Sequence, residues 1–150
     1  MNRFYNIPSD AKKRIYTNAG EKNNLPAFAV EKDWWVVQTL TILFEMKIGE
    51  QLVFKGGTSL SKAWNVIERF SEDIDIAFDR SFFGFEGELG KNQRTKLRKT
   101  ANSYIIEELY PELNKAFVTR GLTGVRIELE EITTSDLDPV IISVYYPNVF

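Results

Sequence analysis

The sequence predicts a mixed α/β domain, a sheet with helices packed on it, and three observations carry that expectation. Short apolar or alternating runs suited to strands fall near residues 51–55, 73–78, 124–131 and 140–146. Apolar residues at helical spacing occupy the stretches between and before them, and glycine and proline mark the joins. With 150 residues, 43% of them hydrophobic, the chain is long enough for one domain with a real core, and no repeat, low-complexity segment or linker divides it.

In chain order, residues 1–25 are polar; Pro8-Ser9-Asp10 offers a helix start and Gly20 a stop, which predicts a short helix over Ser9 to Asn18. Glu31 and Asp33 open a longer helical pattern through Lys47, with Trp34, Val37, Thr41 and Phe44 on one stripe and Gly49 as its stop. The two tryptophans of this helix read as core, since large aromatics dominate burial. Leu52, Val53 and Phe54 read as a buried strand, and Leu60, Ala63, Trp64 and Ile67 have helical spacing. Asp73 to Phe78 is the second strand. Between Asp79 and Gly90, Phe82, Phe83 and Phe85 alternate with Gly84, Gly87 and Gly90, a loop that either closes over a base or anchors itself on the core. Lys91 to Phe117 is helical, with Pro111 beginning a new segment because it cannot continue the old one. Lys91, Arg94, Lys96, Arg98 and Lys99 crowd its start, either as a solvated face or as a contact for triphosphate or an RNA backbone. Val125 to Glu130 alternates as a strand, Ser135-Asp136-Leu137-Asp138-Pro139 is turn chemistry, and Val140 to Tyr146 is the last strand.

Composition narrows the chemistry. The formal net charge of −2 argues against nucleic-acid binding through overall charge, although a local basic face remains open to it. No cysteine and no histidine is present, which excludes disulfides, thiol or imidazole metal sites, and Ser-His or Cys-His catalysis. Carboxylates and hydroxyls are left. The N-terminus has no signal-peptide apolar core and the longest apolar runs are too short to span a bilayer, so the expected compartment is the cytoplasm, with no membrane partner.

Two halves of one stretch carry the functional reading. In the first, a strand runs into Lys55-Gly56-Gly57-Thr58-Ser59 and then a helix, and glycines at such a junction let backbone approach an anion at the helix start. A plain tight turn has the same look, and no Gly-Lys-[Ser/Thr] follows at the spacing of a P-loop. In the second, Asp73 and Asp75 alternate with Ile74 and Ile76, so a strand there sends both carboxylates out on one face, their Cα atoms about 6.5 Å apart. Two hard oxygen donors that close suit Mg²⁺, which is usually held by one or two carboxylates together with substrate phosphates; a solvated sheet face is the plainer reading.

Gly56-Gly57-Thr58-Ser59-Leu60-Ser61-Lys62 with Arg69-x-Ser71-x-Asp73-Ile74-Asp75 resembles the nucleotidyltransferase signature of the AbiEii toxin family of type IV toxin–antitoxin and abortive-infection systems. Val30-Glu31-Lys32-Asp33-Trp34-Trp35 is similar to that family's lead-in helix, and the resemblance runs from about Pro26 to the C-terminus. It implies a DNA-polymerase-β-like nucleotidyltransferase core over residues 1–150. By that resemblance Gly57 and Ser59 grip the triphosphate and Asp73 and Asp75 hold the metal; the leading expectation is a nucleoside triphosphate on Gly56, Gly57, Thr58 and Ser59, with Asp73 and Asp75 as the catalytic carboxylates that hold Mg²⁺. It further implies RNA, such as a tRNA end, as acceptor, and a cognate antitoxin as protein partner. The family places a third acidic residue on a strand soon after a segment similar to Asp138 through Phe150, so a domain truncated at its C-terminus is expected. Glu128 and Glu130 substitute for that residue only if their strand lies beside the Asp73 strand, and alternation on a solvated face explains them equally well. The alternatives are a catalytically incomplete nucleotide-binding or protein-interaction domain of the same fold, and a kinase-like phosphotransferase acting on a γ-phosphate.

Overall fold

The computed structural model describes residues 3–56, 73–131 and 139–150. Within them, helix α1 spans Ser9–Asn23 and α2 spans Ala27–Glu45. A single 3₁₀ turn then leads into strand β1 (Leu52–Lys55). Strand β2 is Asp75–Phe78 and runs into a 3₁₀ turn, Arg80–Phe83. Helix α3 (Lys91–Tyr104) continues through a π-helical turn, Ile105–Leu109, into α4 (Tyr110–Thr119). Strands β3 (Arg126–Leu129) and β4 (Ile142–Tyr145) complete the order.

The fold is α+β, but the expected single mixed sheet is corrected: among the described residues the strands form two separate antiparallel pairs, β1 with β2 and β3 with β4. In the first, Leu52, Val53, Phe54 and Lys55 stand opposite Phe78, Ala77, Ile76 and Asp75. In the second, Arg126 to Leu129 stand opposite Tyr145 to Ile142. One core joins both pairs to the helices. Trp35, Ile42, Leu43, Ile48, Leu52, Leu109, Leu113, Phe117, Leu122 and Ile127 are buried together, with Ile76, Phe78, Ile142 and Val144 packed against them. Tyr110 donates its hydroxyl to the Ile127 carbonyl at 3.0 Å and so ties α4 to β3.

Several boundaries differ from the sequence reading for identifiable reasons. Helix α1 passes through Gly20 and stops at Asn24, which takes the left-handed conformation (φ 54°). Gly20 serves close approach instead: a Cβ there would lie 2.5 Å from the Leu25 carbonyl oxygen, where the chain turns into α2. The inward stripe of α2 is Trp35, Thr39, Ile42 and Leu43, whereas Val37 and Phe44 of the expected stripe are each 40% exposed. Pro111 does fall in the first turn of a new α-segment, α4, as expected; what the reading lacked is the i→i+5 turn before it, which carries the helix on without a break. The phenylalanines after β2 anchor their segment: Phe82 and Phe83 pack on the rings of Phe78 and Tyr104 at 5.3 to 6.5 Å. The turn expected at 135–138 lies outside the described residues.

The N-terminal segment, α1, α2 and the last residues meet around Glu31. This carboxylate is 3% exposed and accepts the Val149 N–H at 2.9 Å. Phe4, Tyr16, Trp34, Trp35, Tyr146 and Phe150 form a chain of ring contacts about it, with Trp35 and Tyr146 stacked at 4.9 Å. Burial raises the Glu31 pKa above its ordinary value, opposed by the backbone N–H groups of Val149 and Phe150 and by Lys12 and Lys13. Tyr16 is pushed up as well, by burial first and then by Glu31 and Tyr146. A carboxylate whose folded pKa exceeds its unfolded one stabilises the fold below the unfolded value, and that contribution is lost as pH rises through the folded value. Glu31→Gln keeps an acceptor and removes the titration. Urea unfolding of both proteins at pH 4 and pH 7 is expected to show wild type losing stability relative to the Glu31→Gln variant as pH rises; a constant difference would rule out the linkage.

Candidate active site

Asp75 opens β2 directly opposite Lys55, the last residue of β1. Cross-strand partners share a face, and Val53 and Ala77 lie on it too. Leu52, Ile76 and Phe78 fill the other face and pack into the core. The alternation therefore turns the Asp75 carboxylate and the Lys55 ammonium to the side away from the core, and both residues are exposed. Lys55 is a residue that sequence reasoning passed over: its place opposite an acid follows from register, which a single strand pattern does not contain.

Gly56 follows immediately with φ +76°, a conformation costly for any residue with a Cβ. A Cβ built on it would collide with Oδ2 of Asp75 and lie 2.9 Å from its Cγ. The absence of a side chain at position 56 is thus what lets the carboxylate lie against the backbone of the glycine turn. Glycine turn and acid meet at these two residues. Gly57, Thr58 and Ser59 lie outside the described residues.

Asp73 is placed differently from the expectation. It precedes β2 in irregular backbone, and the described ladder ends at the Lys55–Asp75 pair, after which Gly56 takes a left-handed φ. The six-residue strand that would have turned Asp73 and Asp75 out together is four residues long. Asp73 is exposed, two residues from Asp75 in the chain.

Carboxylates are the donor type that Mg²⁺ takes alongside phosphate oxygens, but of the two at 73 and 75 only Asp75 stands on β2, against Gly56. Among the described residues no group of three acidic, histidine or cysteine side chains could hold a metal ion by itself. Glu128 and Glu130 do not complete the set in the described ladders, since β3 pairs with β4 and not with β2. Glu128 is ion-paired with Arg126, and Glu130 accepts the Ser143 hydroxyl. Asp79, at the far end of β2, accepts the backbone N–H and hydroxyl of Ser81 at 2.9 and 2.8 Å, bonds that lower its pKa. It caps a turn.

The family model described as nucleotidyl transferase AbiEii toxin, type IV TA system, matches residues 40–148. The chain belongs to this family. The match starts inside α2 and takes in the glycine turn, the acidic strand, α3, α4 and the β3–β4 pair, so the stretch carrying Gly56 and Asp75 is within the part that places the chain in the AbiEii family. Membership implies a nucleotidyltransferase fold. No curated protein and no solved structure matches this AbiEii-family chain. No helix among its described residues is long and apolar enough to cross a membrane.

Proposed function

We infer that this chain carries the nucleotide and metal end of a nucleotidyl transfer, from a nucleoside triphosphate to an acceptor hydroxyl, with RNA as acceptor. The single observation that supports the reading is the contact between Gly56 and Asp75, which sets an acid against a glycine turn that leads on to Gly57, Thr58 and Ser59. In this reading Gly56, Gly57, Thr58 and Ser59 hold the triphosphate. Asp73 and Asp75 hold Mg²⁺, which supplies charge neutralisation on the phosphates and alignment of attacking and leaving oxygens. Gly56 fixes the position of the Asp75 carboxylate. Lys55, on the same sheet face, offers a cation to the developing negative charge of the pyrophosphate leaving group. A cognate antitoxin is the protein partner that a type IV system implies, and the cytoplasm is the compartment in which triphosphate and RNA meet it.

Titration calorimetry with GTP, ATP, CTP and UTP, in Mg²⁺ and in chelator, tests the binding half. Incubation with α- and γ-labelled nucleotide in the presence of RNA tests the transfer. Mg²⁺-dependent binding with transfer of the α-label is the expected result; γ-label transfer would mean phosphorylation, and no binding would overturn the reading. A second reading is favoured by the lack of a three-acid group among the described residues: a nucleotide-binding domain that does not catalyse by itself. Its signature is Mg²⁺-dependent binding without transfer of either label.

A further inference from the structure

Helix α3 carries a charge pattern that the proposed nucleotide site does not use. Lys91, Arg94, Lys96, Arg98 and Lys99 are all exposed, and no acidic residue occurs between Gly90 and Ile106, in a chain whose net charge is −2. Leu97, Thr100, Ala101 and Tyr104 take the inward face. At 100° per residue, Lys91, Arg94 and Arg98 fall within about 60° of one another, Lys99 follows about 80° beyond Lys91, and Lys96 lies about 140° away on another side of the helix. The stripe covers about 12 Å, enough for about three successive phosphates of one strand.

Helix stability does not account for this pattern. Cations near a helix N-terminus oppose the macrodipole, and the first turn of α3 contains no acid to offset them. The arrangement becomes favourable when an anion occupies the face. Arg94 is held ready for one: its Nε donates to the Leu89 carbonyl at 2.9 Å, which anchors the side chain at the helix start. Membrane binding fits less well, since a membrane-surface helix sets large apolar residues beside its basic ones, and α3 has no exposed large apolar side chain. Between the cations stand Asn92 and Thr95, side-chain types that hydrogen-bond phosphate and sugar, although the Thr95 hydroxyl here donates to the Lys91 carbonyl at 3.2 Å.

We propose that the outer face of α3 binds the phosphodiester backbone of an RNA, with Lys91, Arg94 and Arg98 as its centre. Identifying that RNA as the acceptor rests on the transfer reading above; backbone binding does not. The test is fluorescence anisotropy with a labelled single-stranded RNA of mixed sequence over a series of salt concentrations. Wild type is compared with a variant carrying Lys91→Gln, Arg94→Gln and Arg98→Gln, which keeps helix propensity. A control carries Arg14→Gln, Lys22→Gln and Lys47→Gln, exposed positions elsewhere with the same loss of charge. The α3 variant is expected to bind about a hundred-fold more weakly at about 0.1 M salt, with the log–log salt slope shallower by about two, while the control stays within about three-fold of wild type. Equal losses in both variants, no loss in either, or no RNA binding by wild type would overturn the proposal. So would α3-dependent binding to anionic phospholipid vesicles in place of RNA. Calorimetry with nucleoside triphosphate on the α3 variant separates the two readings: retained nucleotide binding with lost RNA binding is the expected pair, and lost nucleotide binding places these cations on the triphosphate instead.

Discussion

Gly56→Val is expected to reduce nucleotidyl transfer by about a hundred-fold or more, because a displacement of a reacting or ligating group by about 1 Å costs that much. The new side chain would occupy the place of the Asp75 carboxylate, whose Cγ lies 2.9 Å from the Cβ position, and would force the acid out of the turn. The same substitution puts a β-branched residue at φ +76°, so unfolding free energy should fall by about 1–3 kcal/mol as well. Asp75→Asn is the informative companion. It preserves shape and removes the charge, and should lose transfer by about 10²- to 10³-fold with little change in stability, since the side chain is exposed. Steady-state transfer rates and urea midpoints on both proteins check the pair. If Gly56→Val destabilises but leaves transfer intact, the contact is structural only.

Phe117→Ala should have the largest effect on folding. Phe117 is 1% exposed and sits where α4, α2 and β3 share the core, so the substitution leaves a cavity that the surrounding helices fill only in part. The expected cost is about 3–5 kcal/mol, against a total of about 5–15 kcal/mol for a domain of ordinary stability. Chemical denaturation should show a lower midpoint at an unchanged slope. Phe82→Ala, at a ring that is 41% exposed, should cost much less, and an equal loss at both positions would contradict the assignment of the core.

How much of this was legible in the sequence varies with the kind of contact involved. Asp75 was legible because alternation over Ile74, Asp75 and Ile76 is a local property of the backbone. Asp73 was not, because its place depends on where the paired ladder ends, here at Lys55 and Asp75, and a single strand pattern does not contain that. The stripe of α2 was placed on nearly the opposite side of the helix for a related reason. That helix is apolar on most sides, so several stripes satisfy helical spacing, and only the packing of α1 and α4 selects Trp35, Thr39, Ile42 and Leu43. Glu31 looked like an ordinary acidic residue at a helix start. The N–H that its carboxylate accepts belongs to Val149, 118 residues away, which no window pattern contains. Strand pairing was illegible throughout, since alternation identifies a strand without identifying its neighbour.

The π-helical turn between α3 and α4 also fixes a phase. An i→i+5 turn sets back everything that follows by about one residue, or about 100° of rotation, along what is otherwise one continuous rod. Upstream of it lies the cationic arc; downstream lie Leu113 and Phe117, which plug the core. Deleting one residue within Ile105–Leu109 would restore a regular α-helix and act as a quarter-turn of a key. With Phe117 still seated, Lys91, Arg94 and Arg98 would swing toward a different neighbour, so the compass bearing of the basic stripe is written in the length of that one turn.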